Sequence, residues 1–85
     1  MSRKKSAMEI SADILKVTLN GAKKSHIIYK ANINFQLGKK YLDHLTNSGL
    51  IVDSVNGSRV YLTTDKGMEY IKQFEDLKEL ANWGA

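Results

Sequence analysis

The stretch from Lys24 to Ile51, KSHIIYKANINFQLGKKYLDHLTNSGLI, decides the fold. Asn34 suits a helix N-cap, because its short side chain can accept from the first free amides of a helix. At about 100° per residue, the residues after it divide cleanly. Phe35, Leu37, Gly38, Tyr41, Leu42 and Leu45 fall in one sector, and Gln36, Lys39, Lys40, Asp43, His44 and Asn47 in the opposite one. That division predicts an amphipathic helix over residues 35–47, stopped by Ser48-Gly49. Upstream, Ile27, Ile28, Tyr29 and Ala31 are the inward residues expected of a shorter helix over 24–31, and Asn32-Ile33-Asn34 is the turn between the two. Gly38 sits among the apolar residues, where glycine costs about 1 kcal/mol of helix propensity. Close approach of another helix is the expected reason.

Working outward, Leu50 to Val55 and Ser58 to Leu62 are β-rich runs around Asn56-Gly57, a favoured two-residue hairpin turn. Thr63 or Thr64 can cap a last helix over 64–82, in which Gly67, Tyr70, Phe74, Leu77 and Ala81 share one face with Ile71 on its flank. Before the opening stretch, Ser6 and Glu9 stand at capping-box spacing. They start a helix over 7–20 with Ile10, Ile14, Leu15 and Val17 at helical period, ended by Asn20-Gly21. Helix, turn, helix and hairpin in this order describe an α+β, mainly α fold. It is a winged helix-turn-helix of three helices and a β-hairpin wing, followed by a C-terminal helix. The expected organisation is a basic flexible arm at 1–5, the winged domain at 6–63, and a dimerisation helix at 64–85.

The chain of 85 residues makes one small domain, and domains of this size bury a modest share of their surface, so a partner subunit is expected. It has no Cys, hence no disulfide framework and no thiolate metal site. No apolar run approaches the roughly 20 residues needed to span a bilayer, and the N-terminus lacks a signal-peptide apolar core. The expected location is cytoplasmic and nucleoid-associated, with no membrane partner. The net charge of +4 is unevenly placed. Residues 1–40 carry +7 and residues 41–85 carry −3. A basic half attracts polyanions, although a Lys-rich solvated surface is the plainer alternative.

A helix that reads DNA is held by its apolar face while its polar face meets base edges. Lys suits guanine, Gln and Asn suit adenine, and Lys also neutralises phosphate. Gln36, Lys39, Lys40 and Asn47 are of these types on the polar face, and His44 joins them as an ambiguous member. Asp43 can accept from cytosine or pair with a Lys one turn away. Asn34 caps the helix and stands at its tip. Lys23, Lys24 and Ser25 precede the shorter helix, whose N-terminal amides can hold a phosphate, and Lys30 can reach the backbone beside the turn. Ser58 and Arg59 lie at the wing tip, where Arg59 suits a narrow minor groove. Arg3, Lys4 and Lys5 of the arm add candidate phosphate contacts. The spacing of Tyr29 and Tyr41 favours core packing over base stacking. His26 and His44 make no metal set, no carboxylate pair has useful spacing, and no phosphate loop or nucleophile motif occurs. No catalytic residue, metal, cofactor or small-molecule ligand is therefore expected.

The run Tyr29-Lys30-Ala31-Asn32-Ile33, with Phe35, Lys39-Lys40-Tyr41-Leu42, Leu45, Gly49-Leu50-Ile51 and Tyr61-Leu62-Thr63-Thr64-Asp65-Lys66-Gly67, resembles a family of small archaeal winged-helix proteins. The family includes transcription regulators and the basic, dimeric chromatin proteins of the 10a type. The resemblance covers roughly residues 10–80. It implies a winged helix that dimerises through its last helix, which in the 10a-type proteins is long and forms an antiparallel coiled coil. Here the last helix ends by residue 85, so any coiled coil is short. Independently of family, the stripe of Tyr70, Phe74, Leu77 and Ala81, with Ile71 on its flank, would leave apolar surface in water unless a copy of itself covers it or it folds wholly onto the first helix.

The reading is a homodimer that binds double-stranded DNA sequence-specifically as a transcriptional regulator. The alternatives are a non-sequence-specific chromatin protein, and an RNA-binding or protein-interaction winged helix.

Overall fold

The computed structural model describes residues 5–53 and 59–82. Asn56-Gly57, Ser58, Arg3 and Lys4 lie outside the described residues. Helix α1 (Ala7–Val17) runs into a 3-10 turn (Thr18–Asn20), followed by strand β1 (Ala22–Lys23) and helix α2 (Lys24–Ala31). Helix α3 (Phe35–Asn47), strands β2 (Ile51–Asp53) and β3 (Val60–Thr63), and helix α4 (Asp65–Asn82) complete the order. The sheet is antiparallel in the order β1-β3-β2, with Ala22 opposite Tyr61 and Ile51 opposite Thr63. The expected winged helix-turn-helix architecture with a C-terminal helix is therefore present. Strand β1 is an addition, because two residues are too few to display an alternating pattern.

Ile10, Ile14, Leu15, Ala22, Ile27, Ala31, Leu42, Leu45, Leu50 and Ile51 form one buried cluster. Helix α1 supplies its centre, and α2, α3 and the sheet close around it. Gly38 is buried where a Cβ would come within 2.5 Å of the Ile28 side chain, so the close approach expected of this glycine is to α2.

Both helices of the helix-turn-helix end in the same hydrogen-bonded device. At the end of α3, the Leu50 amide donates to the Leu45 carbonyl (2.9 Å) and the Gly49 amide to Thr46 (3.0 Å). Gly49 takes the left-handed conformation with φ 76°. This is the Schellman arrangement, which satisfies two carbonyls that the helix would otherwise leave open. At the end of α2, Ile33 donates to Ile28 and Asn32 to Tyr29, with Asn32 left-handed at φ 57°. Asparagine enters this region more readily than other side-chain-bearing residues. Asn32→Gly should thus leave stability nearly unchanged, whereas Asn32→Ala should cost about 1 kcal/mol; denaturant titration of the two variants checks the contrast.

The segment Thr63 to Gly67 clamps α4 to the end of α3. Thr64 Oγ1 accepts from the Gly67 amide (3.1 Å) as the cap of α4 and donates to the Gly49 carbonyl (2.6 Å). Lys66 Nζ donates to the Ser48 carbonyl (2.9 Å), a cation at a helix C-terminus. Thr63 is buried instead, donating to the Leu15 carbonyl and meeting Thr18 Oγ1, both at 2.6 Å. The four residues Thr63, Thr64, Lys66 and Gly67 therefore tie α1, α3 and α4 together.

Three expectations need correction. Tyr29 was expected to pack inward but is 78% exposed. Ile27 and Ala31 form the buried stripe of α2, and a residue two positions from each lies on the other side of the helix. Phe35 was expected to anchor α3 but is 59% exposed. It is the first helical residue, its side chain tilts toward the N-terminus, and the buried stripe starts one turn later at Gly38. Leu50 was expected in the first hairpin strand, but its amide closes the α3 cap and β2 begins at Ile51.

Candidate nucleic-acid interface

Helix α3 is held by Gly38, Leu42 and Leu45, all buried, with Leu37 and Tyr41 half-buried at its edge. Gln36, Lys39, Lys40, Asp43, His44 and Asn47 are all exposed on the opposite side. Asn34 Oδ1 accepts from the Leu37 amide (2.7 Å), which leaves its NH2 group as a donor at the helix tip. Lys39 Nζ pairs with Asp43 at 3.2 Å, one turn away. Asp43 thus takes the intrahelical pairing that the sequence allowed, and Lys39 must exchange this exposed partner to reach a phosphate. Lys40 makes no ion pair among the described residues. Beside it, Leu37, Lys40, Tyr41 and His44 line a shallow groove that runs along the flank of α3.

Helix α2 presents a different feature. Ser6, Asn34 and Thr64 cap α1, α3 and α4 through their side chains, but Lys23 makes no capping bond at the start of α2. The first amides of α2 are left open beside Lys23, Lys24 and Ser25, two exposed residues flanking a half-buried one. Open amides and two cations suit an oxyanion. Lys24 Nζ also lies 4.3 Å from the centre of the Phe35 ring, linking the start of α2 to the start of α3. Sequence reasoning placed Phe35 in the core and so missed it as a surface residue; its position directly after the N-cap was the available signal.

Lys30 is exposed near the helix-turn-helix turn, and Arg59 is exposed at the edge of β3 with φ 56°. Burial, followed by the carboxylates of Asp53 and Asp43, pushes the Tyr61 phenol of β3 upward. Lys5 pairs with Asp13 at 2.6 Å, which ties the last residue of the expected arm to α1.

The winged helix-turn-helix family profile matches residues 4–82. The chain belongs to the winged helix-turn-helix family. The winged-helix backbone is also similar to that of Sso10a-2, described as a DNA-binding protein from Sulfolobus solfataricus, at 29% sequence identity and a TM-score of 0.80. The match covers 91% of this chain and 82% of that one. No curated protein matches the chain. The family and this archaeal neighbour bear out the resemblance read from the Tyr29–Ile33 and Tyr61–Gly67 motifs, among others.

The winged-helix chain has a second exposed feature, on α4. Tyr70 and Ile71 pack against the protein's own core. Phe74 is half-buried beneath Lys16, whose ammonium is 5.9 Å from the ring and also pairs with Glu75. That hydrogen bond from Lys16 holds the Glu75 carboxyl below its ordinary range. The first half of α4 therefore folds onto α1. Beyond it the contacts stop: Leu77 is 53% and Leu80 69% exposed, and Ala81 is exposed too. Met8, Tyr70, Gln73, Phe74 and Leu77 line a groove where the two helices part. Leu80 was not among the expected interface residues. Among the described residues, no helix is long and apolar enough to cross a membrane, and no cluster of His, Asp and Glu is arranged to hold a metal.

Proposed function

We propose that the chain is a homodimeric, non-catalytic protein that binds double-stranded DNA and acts as a sequence-specific transcriptional regulator. The observation that carries the reading is the division of α3. Its buried stripe is fixed against α2 and β2, while Gln36, Lys39, Lys40, His44 and Asn47 are exposed on the other side. In this geometry α3 enters the major groove, and the open start of α2 meets the flanking phosphates through Lys23, Lys24 and Ser25. Asn34 reaches the groove at the tip of α3, and Lys30 meets the backbone beside the turn. Ser58 and Arg59 of the wing, with Arg3, Lys4 and Lys5 of the arm, contact adjacent backbone or minor groove. Membership of the winged helix-turn-helix family, and a neighbour described as DNA-binding, support the reading.

The dimer is supported by the apolar end of α4. Leu77, Leu80 and Ala81 continue the stripe from the half-buried Phe74 past the point where α1 covers it, and a twofold partner would bury it against its own copy. Tyr70 and Ile71 contribute from the base of the same stripe. Leu77→Glu with Leu80→Glu should then halve the mass measured by sedimentation equilibrium and leave the melting of each protomer's winged domain cooperative. A monomeric parent protein would remove the dimer, and an unchanged dimeric mass in the variant would remove the α4 interface.

Selection of bound sequences from a random duplex pool tests regulation. A palindromic consensus with half-sites about one helical turn apart is the expected outcome. Binding with no enrichment would replace the regulator by an architectural DNA-binding protein.

A further inference from the structure

Resting on the proposed binding of duplex DNA, we infer that Phe35 is a specificity-determining residue that reads the 5-methyl group of thymine in the major groove. Phe35 is the first residue of α3 and is 59% exposed, with the Lys24 ammonium on its ring and no place in the buried core. The helix is already capped by Asn34 and anchored by Gly38, Leu42 and Leu45. A phenyl ring in water forfeits burial, which contact with an apolar group of a ligand would recover.

The position narrows the ligand. In a helix-turn-helix the N-terminal residues of the second helix are those that meet base edges. The ring lies beside Lys24, whose ammonium sits 4.3 Å from its centre at the open start of α2. One neighbour of the ring is thus poised for a phosphate, and its own helix points into the groove. An aromatic ring on a convex helix cannot stack between paired bases without opening the duplex. It can cover an apolar group that projects into the groove, and the thymine methyl is the group of that kind among the four bases. Lys24 over the ring face fixes its orientation and leaves the edge free.

The test compares an A·T-rich duplex with the same duplex carrying deoxyuridine in place of thymidine, which deletes only the methyl groups. The parent protein should bind the uracil duplex about fourfold more weakly for each methyl that Phe35 covers. Phe35→Ala, at an exposed position, should keep the parent's melting temperature and salt dependence but bind the two duplexes equally. Phe35→Leu should restore part of the difference. Equal binding of both duplexes by the parent overturns the inference while leaving duplex binding intact. A thymine preference that survives in Phe35→Ala overturns it too, by placing the methyl contact elsewhere. Preference for single-stranded over duplex DNA that disappears in Phe35→Ala would also overturn it, in favour of base stacking. Failure to bind either duplex would instead remove the DNA-binding reading on which it rests.

Discussion

Gly67→Ala is expected to destabilise the protein more than any other single-methyl change, by about 3 kcal/mol. Alanine is the better helix former by about 1 kcal/mol, so an exposed glycine in α4 would gain from the replacement. Gly67 is not exposed. A Cβ there would collide with the Leu50 backbone carbonyl and lie 2.6 Å from Thr63 Cγ2. Neither is the end of a flexible chain. Leu50 is locked by its bond to Leu45 and by the amide of Thr64, which donates to the same carbonyl at 3.0 Å. Thr63 is locked by Leu15 and Thr18. Relief of the clash requires α4 to move from the end of α3, which strips the Thr64 and Lys66 bonds to Gly49 and Ser48. The steric term therefore outweighs propensity, and the melting temperature should fall by at least roughly 12 °C for a domain of this size. A variant that melts at or above the parent would show that α4 is not clamped as described.

The largest effect on binding is expected from Lys39→Ala combined with Lys40→Ala. Both side chains are exposed, so folding should be unaffected. Duplex affinity should fall roughly 10- to 100-fold, the loss of two charged contacts at the groove. Most of it should come from Lys40, because Lys39 must first give up Asp43. The slope of log affinity against log salt should shrink by about 2. Lys72→Ala with Lys78→Ala removes the same charge from exposed sites on α4. Long-range attraction is screened beyond about 10 Å at moderate salt, so this pair should change affinity little. Equal losses from the two pairs would mean that net charge alone drives binding.

The helices were legible because their signals are local. Ser6 with Glu9, Asn34 and Gly49 set the starts and the stop, and the period of the apolar residues set the faces. The positions misread were those where periodicity lacks force. Tyr29 belongs to a helix of 8 residues, too short for its stripe to be resolved from sequence. Phe35 fits the apolar sector of α3 by angle, yet it stands one turn before the buried stripe begins at Gly38. Strand β1 and the Thr63–Leu15 bond are long-range pairings that no sequence window contains. The exposed polar face of α3 followed from the helix period, whereas no sequence pattern shows that α2 starts without a side-chain cap.

The most direct measurement is titration of duplex DNA at several salt concentrations. A winged helix that presents Lys39, Lys40, Lys23 and Lys24 to phosphates should bind tightly at low salt. Log affinity should fall linearly with log salt, with a slope of about −0.9 for each phosphate neutralised. No binding at low salt, or binding indifferent to salt, would contradict it.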